Sequence, residues 1–446
     1  VHFEISSPGR LTGSVLLPGD RNLTLLALAF GTLSHKEIIF THISPSPDVK
    51  KFVHFLENYG AEVDTPEESI KLRGKEWQDT VRINEAVKDS IIHCVIGSAV
   101  FSSQTVIVTE GAGNRSFIVS PLLDLLKTVG LHEENISVED NDIIVRGAVF
   151  SPMDNVTVHS ARAFESIAAA ACSVNMPVVL SYPVQLVTQS IKLLTLLGCN
   201  ISSPEKGNDR NHELSRRLAR AEMGKINDTG KFEWNGNHAS IIGIPGDSTI
   251  AAAVCGAASL LQGSDVTVEG VVWERGRRGF FESLRRMKID AEWKPDKKRY
   301  SFDSADVRVR WSKSDGIHLS SEQAESMLTE LLVLGSVAAS ASGETVITDT
   351  GDIPSYSRSD SFKVLARGLE KLGAHVGDFS EGMVLQGVGE LKGNSVDSGG
   401  EADVALALAV AGLAAGRTTK IKGFKRDNYP VKEFIQIIEN LSSDIQ

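Results

Sequence analysis

The chain has 446 residues, of which 41% are hydrophobic and 23% charged, with a formal net charge of −11. That is the composition of a soluble globular chain with core enough for two or three domains, and its acidity argues against nucleic acid or an anionic membrane surface as the main partner. No run is long and apolar enough to span a bilayer, and the N-terminus does not read as a signal peptide. Four cysteines (Cys94, Cys172, Cys199 and Cys255) show no metal-ligand spacing. Three of them sit in apolar helical runs, so they read as buried, reduced thiols of a cytoplasmic protein.

In chain order, the first punctuation is Pro18-Gly19-Asp20. Pro and Gly end an extended segment, and Asp can cap the helix that follows. An apolar helix and a strand come next (residues 25–40), then an amphipathic helix ending near Leu56 and Gly60. The pattern returns at 94–108, with a helix ending at Leu125 to Gly130, and again at 166–180, with one ending at Leu193 to Gly198. The stretch 203–225 is polar and dense in both charges. It reads as a surface excursion with a solvated helix face in preference to a basic binding patch. A second Pro245-Gly246-Asp247 then opens another series: 251–270 with a helix to Ile289, 331–348 with a helix to Gly373, and 405–423 with a helix to Leu441. One supersecondary unit therefore recurs six times, three copies after each Pro-Gly-Asp.

Within the unit, the second helix carries apolar residues at helical spacing, as in Ile191, Leu194, Leu197 and in Phe362, Leu365, Leu369, Leu372. The Gly that usually follows is expected to supply a left-handed C-cap before the strand returns. The first helix is apolar nearly all round, as at 167–172 and 405–415, which predicts burial inside a lobe. Its Ala and Gly residues would let three helices approach closely, with sheets outside them.

These segments, in order, resemble the enolpyruvyl transferases, and most closely the EPSP synthase (3-phosphoshikimate 1-carboxyvinyltransferase) family. The resemblance rests on the run from Gly13 through Pro18-Gly19-Asp20 to Arg21, the helix at 48–60, residues 121–130, Pro245-Gly246-Asp247-Ser248, Arg277-Arg278-Gly279-Phe280, Ser359-Asp360 with its helix, and 405–416. It implies an α/β fold: a two-lobed inside-out α/β barrel, each lobe three repeats of a βαβαββ unit with helices inside and sheets outside. One lobe would be discontinuous, 1–19 plus 246–446, and the other would be 20–245. Gly19, Asp20, Gly246 and Asp247 would then be the hinge crossovers. The family moves the enolpyruvyl group of phosphoenolpyruvate to an acceptor hydroxyl and releases phosphate, in a cleft between lobes that close. No metal or organic cofactor is implied. The implied partner is a small anionic substrate or ligand in that cleft, with a protein partner as the alternative, and no nucleic acid or membrane.

That chemistry calls for cations and helix N-termini to clamp two polyanions, a general acid and a base, and a carboxylate near a cationic transition state. Each family signature can be compared with this chain. Where Pro-Gly-(Asp/Ser)-Lys-Ser is followed one turn later by Arg, the chain has Arg21, Asn22 and then Leu26. The phosphoenolpyruvate loop falls at 86–90, with His93 where its Arg belongs. The next phosphoenolpyruvate Arg falls at Phe117, with Arg115 nearby. The acceptor-binding Ser-(Ser/Ala)-Gln appears as Ser160-Ala161-Arg162. The catalytic Asp falls near Thr329, with Glu330 adjacent. Lys-Glu-Ser-Asp-Arg appears as Ser357-Arg358-Ser359-Asp360-Ser361, and Asp-His-Arg as Glu401-Ala402-Asp403. The final Lys falls at Asp427 or Asn428, before Tyr429-Pro430.

The residues expected to carry chemistry are thus Arg21, Glu330 and Asp360, with Arg21, Asn22, Arg115, Ser160, Arg162, Arg277 and Arg358 as ligand contacts. The cluster Arg275, Arg277 and Arg278 has two readings, an anion site or a solvated helix start. Losing a charge-assisted contact costs about 1.5–3 kcal/mol, and losing an acid or base costs about 10²–10⁴-fold. Several such losses predict loss of the family reaction on an intact scaffold. Three readings follow: a functioning transferase, a non-catalytic relative that binds another anionic ligand or a protein, and different chemistry such as RNA 3′-phosphate cyclisation. The last lacks a nucleotidyl-transfer His signature.

Overall fold

Strands and helices alternate because short β-branched runs are separated by longer Ala/Leu runs, and one repeat shows how they assemble. Strand Thr80–Ile83 leads to helix Ile92–Val100, strand Thr105–Val108 and helix Ser116–Leu126, and the repeat closes with strands Ile136–Glu139 and Asp142–Arg146. The first two strands pair in parallel, as a helical crossover requires, and the last two complete the sheet antiparallel. This is the βαβαββ unit. The computed structural model describes residues 1–88, 90–109, 116–140, 142–151, 155–182, 184–202, 228–234, 239–274, 277–320, 323–324, 326–327, 329–347, 361–379 and 382–443. Among them the same order of pairing builds five four-stranded sheets and one three-stranded sheet. The charged stretch 203–225 lies outside the described residues.

The chain divides into two units. One is Val1–Asp20 with Pro245–Gln446, and the other is Arg21–Ile244. In the discontinuous unit, strand His2–Ile5 pairs antiparallel with Thr419–Lys422, and Thr12–Leu16 pairs in parallel with Asp265–Val272. The two Pro-Gly-Asp copies lie side by side in this unit. The Asp20 amide donates to Pro245 O at 2.8 Å, the Asp247 amide donates to Pro18 O at 2.9 Å, and Gly19 bridges Gly246.

Within each unit the apolar helices form the interior. In Ser248–Leu260 every residue but the last is buried, and Glu330–Ala338 is buried throughout. The strands alternate between buried and exposed positions, so the sheets lie outside the helices. Small residues set the helix spacing. A Cβ on Gly97 would stand 2.3 Å from Ser166 O, so Ile92–Val100 and Ala161–Ser173 meet backbone to backbone at that point.

The glycine rule for the second helix holds at Gly130, Gly198 and Gly373, whose φ values are 110°, 97° and 99°. It fails at Gly60, which has φ −164°. There the constraint is space, since a Cβ would lie 3.0 Å from the Trp77 ring.

Candidate functional site: two buried polar clusters

The discontinuous unit gathers its buried charge at the N-terminus of helix Ser248–Leu260. Asp247 is its N-cap, as its place before an apolar helix predicts. One carboxylate oxygen accepts from the Thr249 and Ile250 amides at 2.9 and 3.0 Å, and the other accepts from the Tyr429 hydroxyl at 2.7 Å. Asp20 serves the same helix, because its carboxylate accepts from the Ser248 amide at 3.2 Å and the Ser248 hydroxyl at 3.1 Å. Arg277 closes the cluster. Its Nη2 donates to Glu330 Oε1 at 2.9 Å and to the Ser248 hydroxyl, and it lies 3.6 Å from Asp20. Thr329, just before Glu330, shares a 2.7 Å hydroxyl contact with Thr249.

All four charged residues are nearly sealed from water: Asp20 is 3% exposed, Asp247 4%, Arg277 6% and Glu330 1%. Two carboxylates, Asp20 and Glu330, thus face the Arg277 guanidinium. Helix N-termini add to this, since Asp20 and Asp247 bond amides of the first helix and Glu330 opens helix Glu330–Ala338. Of the arginine cluster, Arg277 turns inward and Arg278 outward, where it pairs with Glu282 at 2.8 Å. Arg275 lies outside the described residues.

The continuous unit holds a second cluster between three helices. His93 comes from Ile92–Val100, Glu165 from Ala161–Ser173 and Ser190 from Val184–Leu196. His93 Nε2 stands 2.6 Å from Glu165 Oε2, and the Ser190 hydroxyl donates to Oε1. A carboxylate oxygen accepts, so Nε2 carries the ring proton toward it. His93 and Ser190 are each 2% exposed and Glu165 is 7% exposed. His93 Nδ1 and the neighbouring Ser166 hydroxyl are buried without a hydrogen-bond partner among the described residues. His93, Cys94 and Glu165 could each offer one donor atom within 4.8 Å of the others. However, burial first, and then the Glu165 charge, push the Cys94 thiol well above its ordinary range. Two of these donors, His93 and Glu165, are engaged with each other at 2.6 Å.

The sequence-predicted residues are distributed as follows. Gly19, Asp20, Gly246 and Asp247 stand together where the Pro-Gly-Asp segments pair. Arg277 and Glu330 are joined with Asp20 through the buried cluster. Arg21 and Asn22 are the first two residues of helix Arg21–Gly31, both half-buried. Ser160 is the N-cap of Ala161–Ser173 and accepts from the Ala163 amide at 3.2 Å; Arg162 is in that helix's first turn. Leu26 is 8% exposed, in the core of its helix. Glu401 precedes helix Ala402–Leu413 and accepts from the Ser361 hydroxyl, and Asp403 sits in the first turn, so this N-terminus carries its own acidic groups. Arg115, Arg358 and Asp360 lie outside the described residues, as does the side chain of Phe117.

Glu165 and Ser190 escaped the sequence reading. A signal was available: Glu165 is a lone carboxylate inside an apolar helix, and a buried charge needs a partner.

Comparison with known proteins gives a consistent family signal. The model of the family described as EPSP synthase (3-phosphoshikimate 1-carboxyvinyltransferase) matches residues 219–435. A 3-phosphoshikimate 1-carboxyvinyltransferase of Pelotomaculum thermopropionicum is 25% identical, with 98% of each chain covered. One of Gloeobacter violaceus is 26% identical, with 94% of each chain covered. Among solved structures, EPSP synthase from Acinetobacter baumannii superimposes with a TM-score of 0.76 at 18% identity, covering 99% of this chain and 98% of that one. The enolpyruvyl transferase NikO from Streptomyces tendae gives 0.72 at 13% identity, covering 99% and 97%. These two structural likenesses speak to the fold.

Proposed function

We propose that this chain, which belongs to the EPSP synthase (3-phosphoshikimate 1-carboxyvinyltransferase) family of enolpyruvyl transferases, does not transfer the carboxyvinyl group of phosphoenolpyruvate to shikimate 3-phosphate and instead binds a different small anionic ligand on the family scaffold. The observation that carries this reading is the pair His93 and Glu165. The family pattern places an Arg for phosphoenolpyruvate at the position of His93. Here that position holds an imidazole, 2% exposed and bonded to a carboxylate at 2.6 Å. A phosphate seeking this group would have to displace Glu165 and would meet its negative charge.

The neighbourhood of the expected base supports the same reading. Thr329 is engaged with Thr249, and Glu330 is 1% exposed and held by Arg277. Both side chains are thus engaged within the unit's own interior, and geometry is the first requirement of a general base. Each missing charge-assisted contact removes about 1.5–3 kcal/mol of binding, so several together remove both substrate capture and turnover. Arg21 and Arg162, on the first turns of two helices, are the described cations that this reading assigns to a changed ligand.

The test is calorimetry on the full chain with phosphoenolpyruvate and shikimate 3-phosphate, singly and together, alongside a phosphate-release assay. No phosphate release, with or without binding heat, is the expected result. Phosphate release at an ordinary enzymatic rate, about 1–10³ s⁻¹, would overturn the proposal.

A further inference from the structure

The cluster in the continuous unit brings together three donor types that zinc accepts. His93 and Cys94 are consecutive residues of helix Ile92–Val100, and Glu165 stands on Ala161–Ser173. An imidazole nitrogen, the Cys94 sulfur and a Glu165 oxygen lie within 4.8 Å of one another, the one such group of three among the described residues. The donors come this close because the two helices meet backbone to backbone at Gly97, one turn beyond His93. His93 and Cys94 are each 2% exposed.

The hydrogen bonds of the cluster leave it incomplete. Glu165 has no Lys or Arg partner among the described residues, and its oxygens take only a His93 N–H and the Ser190 hydroxyl. Buried charges are ordinarily paired or bound to a metal. Two further polar atoms, His93 Nδ1 and the Ser166 hydroxyl, are buried without a partner among the described residues. That hydroxyl lies against Gly97, where an added Cβ would stand 3.1 Å from it.

We propose that His93, Cys94 and Glu165 bind one zinc(II) ion, which ties helix Ile92–Val100 to helix Ala161–Ser173. The ligands are His93 Nε2, the Cys94 thiolate and Glu165 Oε2. The charge balances, since two anionic ligands cancel the ion in an interior where net charge is costly. The ion takes the place of the proton between Nε2 and Oε2, now 2.6 Å apart. At zinc bond lengths of about 2.0–2.2 Å, two ligands of a tetrahedron stand about 3.3 Å apart, so that contact opens and the sulfur draws in. The ring proton moves to Nδ1, and the Ser166 hydroxyl is an acceptor on the facing helix. Cys94 releases its proton to solvent as the metal takes the thiolate. Ser190 keeps its bond to Glu165 Oε1 and orients the carboxylate, the usual support of a metal ligand. Three protein ligands leave the fourth position to water. Because the site is closed, the ion enters as the helices pack, which couples its binding to folding.

The experiment expresses the full chain in zinc-supplemented medium, removes loosely held metal by dialysis and counts zinc by elemental mass spectrometry. One ion per chain is expected in the parent, in Cys199→Ser and in Cys255→Ser. Cys94→Ser and Glu165→Gln are expected to lose it, with circular dichroism confirming that each variant is folded. A chain grown with cobalt(II) is expected to show a thiolate-to-cobalt charge-transfer band that Cys199→Ser and Cys255→Ser keep and Cys94→Ser lacks. A parent chain that retains no zinc, a cobalt form without the band, or a Cys94→Ser chain with the parent's metal content would overturn the proposal. No phosphoenolpyruvate or other ligand enters these measurements, so their outcome is separate from that of the transferase assay.

Discussion

The two polar clusters solve one physical problem in different ways. Each buries carboxylate among apolar helices, where an uncompensated charge is costly. In the discontinuous unit the answer is a full cation and helix ends: Arg277 faces Glu330 and Asp20, while Asp20 and Asp247 also take amides at the start of Ser248–Leu260. In the continuous unit the answer is two polar side chains on neighbouring helices, His93 and Ser190, one for each oxygen of Glu165. The first arrangement is held by a guanidinium; the second is held by an imidazole N–H and a hydroxyl. Neither presents its charged groups to solvent. A family fold can therefore keep charged residues near expected functional positions while spending them on its own interior.

The largest test of this contrast is Arg277→Met. It removes the guanidinium that pairs with Glu330 and Asp20, and breaking a buried pair in this way costs about 3–5 kcal/mol. The urea midpoint should fall accordingly. An unchanged midpoint would mean that the helix ends alone satisfy the carboxylates, and the contrast would collapse. Glu165→Ala comes next. It strands His93 Nε2–H and the Ser190 hydroxyl, at about 1–3 kcal/mol for an unsatisfied buried donor, and should lower the midpoint by less than Arg277→Met does. A larger fall would reverse the ranking and make the continuous unit the more charge-dependent of the two.

The smallest effect lies on the exposed face of the discontinuous unit, where Arg308 pairs with Asp265 and Arg310 with Asp290. Hydrogen bonds from Arg308 and Arg310 hold the Asp265 and Asp290 carboxyls below their ordinary value of 3.8. A depressed carboxyl contributes stability that is present above its unfolded-state pKa and is lost as pH falls toward the folded one. Because these groups are exposed, Arg308→Ala should lower the urea midpoint least of the three near neutrality. The difference from the parent should vanish in acid below 3.8 and shrink with added salt. A gap that persisted in acid would show that Arg308 acts through packing of its stem.

Much of this architecture can be read from the chain because its signals are local. The Pro-Gly-Asp pairs, the Ala-rich helices and the capping role of Asp247 each occupy a few consecutive residues. Gly60 was misread because a helix-ending glycine can serve shape as well as φ, and only the position of Trp77 separates the two. Arg277 was legible as important but not as inward, since its partners Asp20 and Glu330 are brought to it by the fold. Glu165 bonds residues 72 and 25 positions away, a separation that no periodicity encodes.

The pairing of His2–Ile5 with Thr419–Lys422 sets a timetable for synthesis. These residues are synthesised well before Thr419–Lys422, so their sheet cannot close until that later strand has been made. Thr12–Leu16 waits as well, for Asp265–Val272. Meanwhile Arg21–Ile244 has all its own sheet partners in hand and can complete itself first. Domains made earlier generally fold earlier, and unpaired strand edges invite misassembly. Among the described strands, His2–Ile5 and Thr12–Leu16 therefore wait longest for their partners, and delay in translating residues 265–422 would fall on them.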